Sequence, residues 1–172
     1  MINIKLVFPT AEHKQAAWDY RQEFFDNGED SIDGGSALAD ANSYEFWLEV
    51  VKDGPTRVHE KYAPSSTFFA VADGKIVGIV DIRHTLTEHL LNVGGHVGYS
   101  VRPSERRKGY ATEMLRQALE KCRQLGIKKA LVTCNSDNIG SKKVIQKNGG
   151  MLENEFLEAN GTIVLRHWIN LE

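Results

Sequence analysis

Cysteine is nearly absent: Cys122 and Cys134 are the only two. Two thiols give no disulfide framework, which fits a reducing cytoplasm better than a bridge-stapled secreted scaffold. No apolar run approaches the roughly 20 residues that a membrane helix needs. The opening MINIKLVFPT reads as a strand, not as a charged segment with a long apolar stretch behind it, so no signal peptide is expected. Charge of one sign is not in excess: 21 Lys and Arg face 23 Asp and Glu, a formal −2. That signals neither a nucleic-acid binder nor an acidic tail. Internal repeats and low-complexity segments are missing. His84, His89 and His96 have no ligand-like spacing on one helix, so no metal site is expected. The chain has 172 residues, enough to bury a core without staples, and residues 1–172 read as one domain.

What charge there is lies unevenly. Residues 1–60 hold 12 acidic and 5 basic side chains, a balance of 5 − 12 = −7, while residues 102–150 hold 12 basic and 4 acidic, 12 − 4 = +8. Solvated helix faces account for such a split. It also suits a basic half that meets a polyanionic ligand and an acidic half that meets a cationic one.

Patterning gives the elements. Residues 2–8 read as a strand, and 12–26 as a helix with Ala16, Ala17, Tyr20, Phe24 and Phe25 at helical spacing. NGEDSIDGGSALADANS, 17 residues, is mostly loop, and polar loops of that length in compact domains are often functional. Residues 43–53 form a helix with Phe46, Trp47, Val50 and Val51 inward. Two β-rich runs around Asp73-Gly74 predict a hairpin. GGHVGYSVRP is a strand stopped by Pro103. A helix opens near Gly109, with Ala111, Leu115, Ala118, Leu119, Cys122 and Leu125 on one stripe, and ends at Gly126. KKALVTCN is a buried strand and DNIGSKKVIQKNGG a helix. Two strands, about 150–158 and 162–170, close the chain through Asn160-Gly161. The order β-α-α-β-β-β-α-β-α-β-β predicts an α/β domain around a mixed sheet.

The chemistry concentrates in VRPSERRKGYATEML, where Arg106, Arg107, Lys108 and Gly109 stand just before a helix begins. A helix N-terminus offers unpaired N–H groups and the positive end of the dipole, and glycine lets a ligand approach the backbone. The run reads as a pyrophosphate cradle, although neither G-x-x-x-x-G-K-[ST] nor G-x-G-x-x-G is present.

RRKGYA has the spacing [RQ]-x-x-G-x-[GA], and Asn138, Ser141 and Gly149-Gly150 follow as N-x-x-S-x₇-G-G. In this ordered pair the chain resembles the GNAT superfamily of acetyl-CoA-dependent N-acyltransferases, firmly from about Gly94 to Gly150. It looks most like the bacterial branch with ribosomal-protein acetyltransferases and a set of predicted acetyltransferases without an assigned acceptor. The resemblance implies a mostly antiparallel mixed sheet of six to seven strands, flanked by about four helices. Its parallel central pair, about 97–101 and 129–134, would splay apart.

It also implies roles. Tyr99, Ser100 and Val101 would pair with the pantetheine arm. Arg106, Arg107, Lys108, Gly109, Tyr110, Ala111 and Thr112 would surround the pyrophosphate, and Asn138 would hold the pantetheine or adenosine side. Arg107 stands where glycine is usual, which suits the loop if its φ is negative. Acetyl-CoA would be the cosubstrate and an amine the acceptor.

Acyl transfer to an amine needs a neutral nucleophile, a stabilised oxyanion and a proton for the thiolate. His96 is the first candidate for base, because imidazole titrates near neutrality; packing at a strand edge is its other reading. Many family members carry a tyrosine seven residues past the Asn, where this chain has Ile145. Ser141 could instead donate to the sulfur, or simply pack close to the coenzyme. The acceptor pocket is expected from residues 20–60 and the 84–96 connection. Glu23, Asp26, Glu29, Asp30, Asp33, Asp40, Glu45 and Glu49, with Tyr44 and Trp47, suit a cationic small molecule or a peptide or protein end. No nucleic acid or membrane partner is expected, and the chain would be a monomer or homodimer. Because of Ile145, an acyl-CoA-binding or regulatory domain with weak catalysis is the alternative, and a module for another phosphate ligand is a third.

Overall fold

The computed structural model describes residues 1–172. The elements are β1 (Lys5–Val7), α1 (Lys14–Asp26), α2 (Tyr44–Asp53), β2 (Ser65–Ala72), β3 (Lys75–Arg83), α3 (Glu88–Asn92), β4 (Val97–Val101), α4 (Tyr110–Gln124), β5 (Lys129–Asn135), α5 (Ile139–Lys147), β6 (Met151–Leu157) and β7 (Ile163–Asn170). No helix is long and apolar enough to cross a membrane.

Local chemistry sets the boundaries. Asp73 and Gly74 both take positive φ, 49° and 76°, which matches the right-handed twist of the hairpin they close. α4 and α5 stop by the same device. Gly126 (φ 80°) lets Ile127 N–H reach Cys122 O at 3.0 Å, and Gly149 (φ 86°) lets Gly150 N–H reach Ile145 O at 2.9 Å. Gly150 is glycine for a second reason, since a Cβ there would meet Ile145 Cγ2 at 2.4 Å.

Several inward faces differ from expectation. α2 buries Tyr44, Trp47, Leu48 and Val51, the i, i+3, i+4, i+7 set, and leaves Phe46 exposed and Val50 at the edge. Trp47 fixes this rotation, because its Nε1 donates to Gly35 O at 2.9 Å and its ring stacks on Phe69. Phe25 and Leu125 are exposed; Leu125 is the C-cap of α4, beyond the last buried turn. α3, five residues capped by Thr87, is absent from the sequence reading.

The seven strands form two antiparallel sheets, β1-β2-β3-β4 and β5-β7-β6. The break falls between β4 and β5, the pair expected to splay. They share no ladder; a single isolated bridge, Gly95 to Val132, lies just before β4. One apolar core packs α4 and α5 against both sheets; a second packs α1, α2 and the loop between them on the other face of the first sheet. Side chains alternate across a strand. Val97, Tyr99 and Val101 therefore face α4 and α5, whereas Gly98 and Ser100 face α1 and α2.

Candidate active site

The gap between β4 and β5 opens into a cleft of about 850 Å³. β4 pairs with β3 along one edge and with no strand along the other, so alternate backbone N–H and C=O groups point into the gap. The cleft has two mouths, one on each face of the sheet.

At the α4 and α5 mouth lie Arg106, Arg107, Gly109, Tyr110, Ala111 and Thr112, with Lys143 and Lys147 from α5. Arg107 has φ 62° and Gly109 φ 86°. The positive φ at Arg107 corrects the expectation of a negative one. Two left-handed residues turn the loop so that α4 starts with its amides toward the cleft. A Cβ on Gly109 would meet Ile2 Cδ1 at 2.5 Å. Arg106 is held by Glu29 through two bonds, 3.0 and 2.9 Å, and its Nε donates to Val101 O. Lys108 does not line the cleft: Glu105 holds it at 2.8 Å and Lys75 at 2.6 Å. Those two lysines depress the Glu105 carboxyl to about 2.

Deeper on this face, the Tyr99 hydroxyl lies 2.7 Å from Ser141 Oγ. Burial pushes the Tyr99 phenol up to about 12, against the smaller opposing effect of that bond. Cys134 lines the cleft beside them, and burial raises its thiol too. Asn138 caps α5, its Oδ1 accepting from Ser141 N–H at 3.1 Å, which leaves its amide NH₂ free to donate. Ile145 is fully buried in the core.

The α1 and α2 mouth is lined by Ser31, Asp33 and Gly34 from the long loop, Arg83, Val93, Gly94 and Thr133. Gly34 packs against β4 so closely that a Cβ would sit 2.3 Å from Gly98 O. The loop is further pinned by Ser36 on Thr67 at 2.7 Å.

Most of the expected acidic pocket is not there. Glu23 pairs with Arg102, Glu29 with Arg106, Glu45 with Lys14 and Glu49 with Lys52. Tyr44 and Trp47 are core residues. Of the carboxylates named from the sequence, only Glu29 and Asp33 reach the cleft, and Asp33 alone lines it without an ion pair.

His96 is not in the cleft. It is buried, its N–H donates to Leu131 O at 2.7 Å, and its Nδ1 accepts from Leu131 N–H at 2.9 Å. Burial, then the Arg83 charge, push the imidazole down from the usual 6.5 to about 4. Its lone pair is already spent on a backbone amide, so the structure assigns it to the β4–β5 junction instead of the expected role of base.

A loop of amides at a helix start, an unzipped sheet and a cleft that passes between the sheets point to a pantetheine-bearing nucleotide. The family described as Acetyltransferase (GNAT) family matches residues 37–150, more than half of the chain. The chain belongs to that family.

No curated protein matches it in sequence. Among solved structures it is similar to the microcin C7 self-immunity acetyltransferase MccE in complex with acetyl-CoA and AMP. That match has 19% identity over 97% of this chain and 92% of that one, with a TM-score of 0.71. It is also similar to RimL, a ribosomal L7/L12 alpha-N-protein acetyltransferase in complex with coenzyme A, at 17% identity, 100% and 97% coverage and a TM-score of 0.72. Mycobacterium smegmatis RimJ, in complex with a CoA disulfide, matches at 19%, 97% and 81%, with a TM-score of 0.72. At such identities the likeness establishes the fold.

As a GNAT acetyltransferase the chain uses acetyl-CoA as cosubstrate, and its own residues fit that ligand. The amide loop suits a pyrophosphate, and the open β4 edge suits an amide-bearing arm. Sequence reasoning missed Arg83, Lys143, Lys147 and Thr133. The i, i+4 spacing of Lys143 and Lys147 on one helix was the available signal for two of them.

Proposed function

We propose that the protein transfers the acetyl group of acetyl-CoA directly to a primary amine, with both substrates bound together. The observation that carries this reading is the two-sided gap between β4 and β5. A hydroxyl pair, Tyr99 and Ser141, stands on one face, and the unpaired carboxylate Asp33 stands on the other. When bound, acetyl-CoA supplies an activated acyl carbon and a thiolate leaving group, so that an N–C bond forms as a C–S bond breaks.

The chain's residues divide the remaining work. Backbone amides from Arg107 to Thr112 hold the pyrophosphate, and the β4 edge at Tyr99, Ser100 and Val101 orients the arm. Asn138 donates to the same ligand through its NH₂. Ser141, backed by the neutral Tyr99 phenol, hydrogen-bonds the departing sulfur and relays to it the second proton that the nitrogen releases as the amide forms. Asp33 attracts the ammonium form of the acceptor, whose proton leaves to water at the open mouth. Cys134 takes no covalent part, because a thiol whose pKa burial has raised is a poor nucleophile. Two free thiols support a cytoplasmic setting.

A panel of amines assayed for thiol release and product mass tests the reading. Coenzyme A should also raise the melting temperature, and its 3′-dephospho form should do so less. A shift with ATP or NAD and none with millimolar coenzyme A would reject it. Coenzyme binding with no amine-dependent thiol release would instead favour the binding or regulatory domain.

A further inference from the structure

Arg83 is a built-in cation at the α1 and α2 mouth; Arg106, which packs on Phe24 of α1, is already taken by Glu29. Its Nε lies 3.0 Å from Asp81 Oδ2, and the buried Asp81 accepts from Thr67 Oγ1 at 3.0 Å. Thr67 in turn meets Ser36 of the long loop. Nη1 donates to Gly94 O at 3.1 Å and approaches Gly95 O at 3.5 Å. That leaves Nη2 with two donors and no protein partner. It points along Gly98, where a Cβ would stand 2.8 Å from it, so glycine is what lets the guanidinium reach the cleft. Gly98 is also where Gly34 packs, next to Asp33. A fixed cation and a free carboxylate thus flank one glycine on the acceptor side of the gap. A polycationic acceptor would meet Arg83 as a like charge.

We propose that Arg83 is a specificity-determining residue that binds a carboxylate of the acceptor, so that the acceptor is a small amine carrying a carboxylate close to its nitrogen, an amino acid in chemical class. This rests on the transferase reading above. Arg83 Nη2 receives the carboxylate by charge-assisted hydrogen bonds, while Asp33 draws the ammonium end. Tyr99 and Ser141 lie on the opposite face of β4, so amine and sulfur meet the acyl carbon from different sides. A peptide N-terminus, whose α-carboxyl is consumed in the amide bond, lacks this anion.

The test compares L-alanine and L-methionine, each with its α-carboxamide and its decarboxylated amine, together with a tripeptide free at its N-terminus. Thiol release and the melting temperature of the coenzyme A complex are both read. Wild type should favour each carboxylate over its amide by roughly 10- to 100-fold in kcat/KM, the worth of a hydrogen bond to a charged group. Arg83→Lys should collapse that ratio with KM for acetyl-CoA unchanged, and the amino acid, not the amide, should stabilise the wild-type complex. Arg83→Lys keeps a charge beside Asp81. Should it still fail to fold, the carboxylate-to-amide ratio in wild type decides alone. Equal or better use of amides, decarboxylated amines or the tripeptide overturns the proposal and leaves the transferase reading standing. Carboxylate-specific stabilisation without thiol release overturns the transferase reading and keeps the Arg83 site.

Discussion

The hydroxyls of Tyr99 and Ser141 meet at 2.7 Å across the seam between β4 and α5, 42 residues apart in sequence. Each can orient the other's proton. The phenol, held neutral by burial, keeps its proton at any working pH. If the pair serves the leaving group, Ser141→Ala and Tyr99→Phe should each lower kcat by about 10²-fold or more, with little change in KM for acetyl-CoA. The double variant should be no worse than the poorer single one, because the two act as a unit. Additive losses would mean that they act separately.

Arg107 holds a left-handed backbone conformation that costs a residue with a Cβ about 1–2 kcal/mol. Glycine relieves it, less about 0.5–1 kcal/mol for its freer unfolded chain. Arg107→Gly should therefore stabilise the protein by on the order of 1 kcal/mol, a rise of about 2–4 °C in Tm for a chain of this size. Its KM for acetyl-CoA should rise only a few-fold, since the amide remains. A fall in Tm would show that the side chain has a structural role.

Glu29 occupies the guanidinium that a pyrophosphate would seek. The pair is about one-third exposed on each side, 39% and 35%, so it is worth roughly 0–1 kcal/mol. Glu29→Gln should lower the KM for acetyl-CoA by up to about five-fold, with a small loss of stability. A raised KM would mean that Arg106 needs Glu29 to be positioned at all.

His96 predicts a pH effect on stability and none on catalysis. Its folded pKa, about 4, is below the unfolded 6.5. Between those values the unfolded chain binds more protons, so stability is full above about pH 6.5 and declines as pH falls toward 4. Glu105, depressed from 4.5 to about 2, extends the decline below that window. His96→Gln should remove the upper limb and keep an acceptor for Leu131 N–H. His96→Ala should cost about 1–3 kcal/mol by orphaning that amide. Neither should change the shape of the kcat/KM profile; loss of an imidazole-like limb in both would restore His96 as the base.

Gly109→Glu places a carboxylate and a Cβ at φ 86°, at the start of α4. Coenzyme binding should vanish while far-UV circular dichroism stays that of a folded protein. Unchanged KM for acetyl-CoA would mean that the pyrophosphate lies elsewhere.

Local signals carried the sequence reading far. Asp73-Gly74, Gly126 and Gly149-Gly150 each demand a backbone that few other residues adopt, and each marks the turn or stop that it announced. The entry to α4 at Arg106–Thr112 was legible because it rests on backbone, spacing and a helix start, all local. What was not legible depends on partners far along the chain. Glu29 looks like a free acidic residue until Arg106, 77 positions away, takes it. His96 looks like a base until Leu131 N–H, 35 positions away, fills its lone pair. Arg83 is an ordinary strand residue until the β3–β4 register, with Asp81 opposite Gly98, gives it a carboxylate to lean on and a gap to reach through. α3 is too short to display a period, and the face of α2 was settled by one bond from Trp47 to Gly35.

The most direct test of acetyl transfer through the β4–β5 gap is stoichiometric. The protein is mixed with acetyl-CoA, first alone and then with an acceptor amine, while free thiol, acetylated amine and intact protein mass are followed together. The account predicts an unmodified protein throughout, almost no thiol without amine, and one thiol released per acetylated amine formed. An acetylated protein that loses its acetyl group when amine is added, or thiol release that amine does not change, would contradict it.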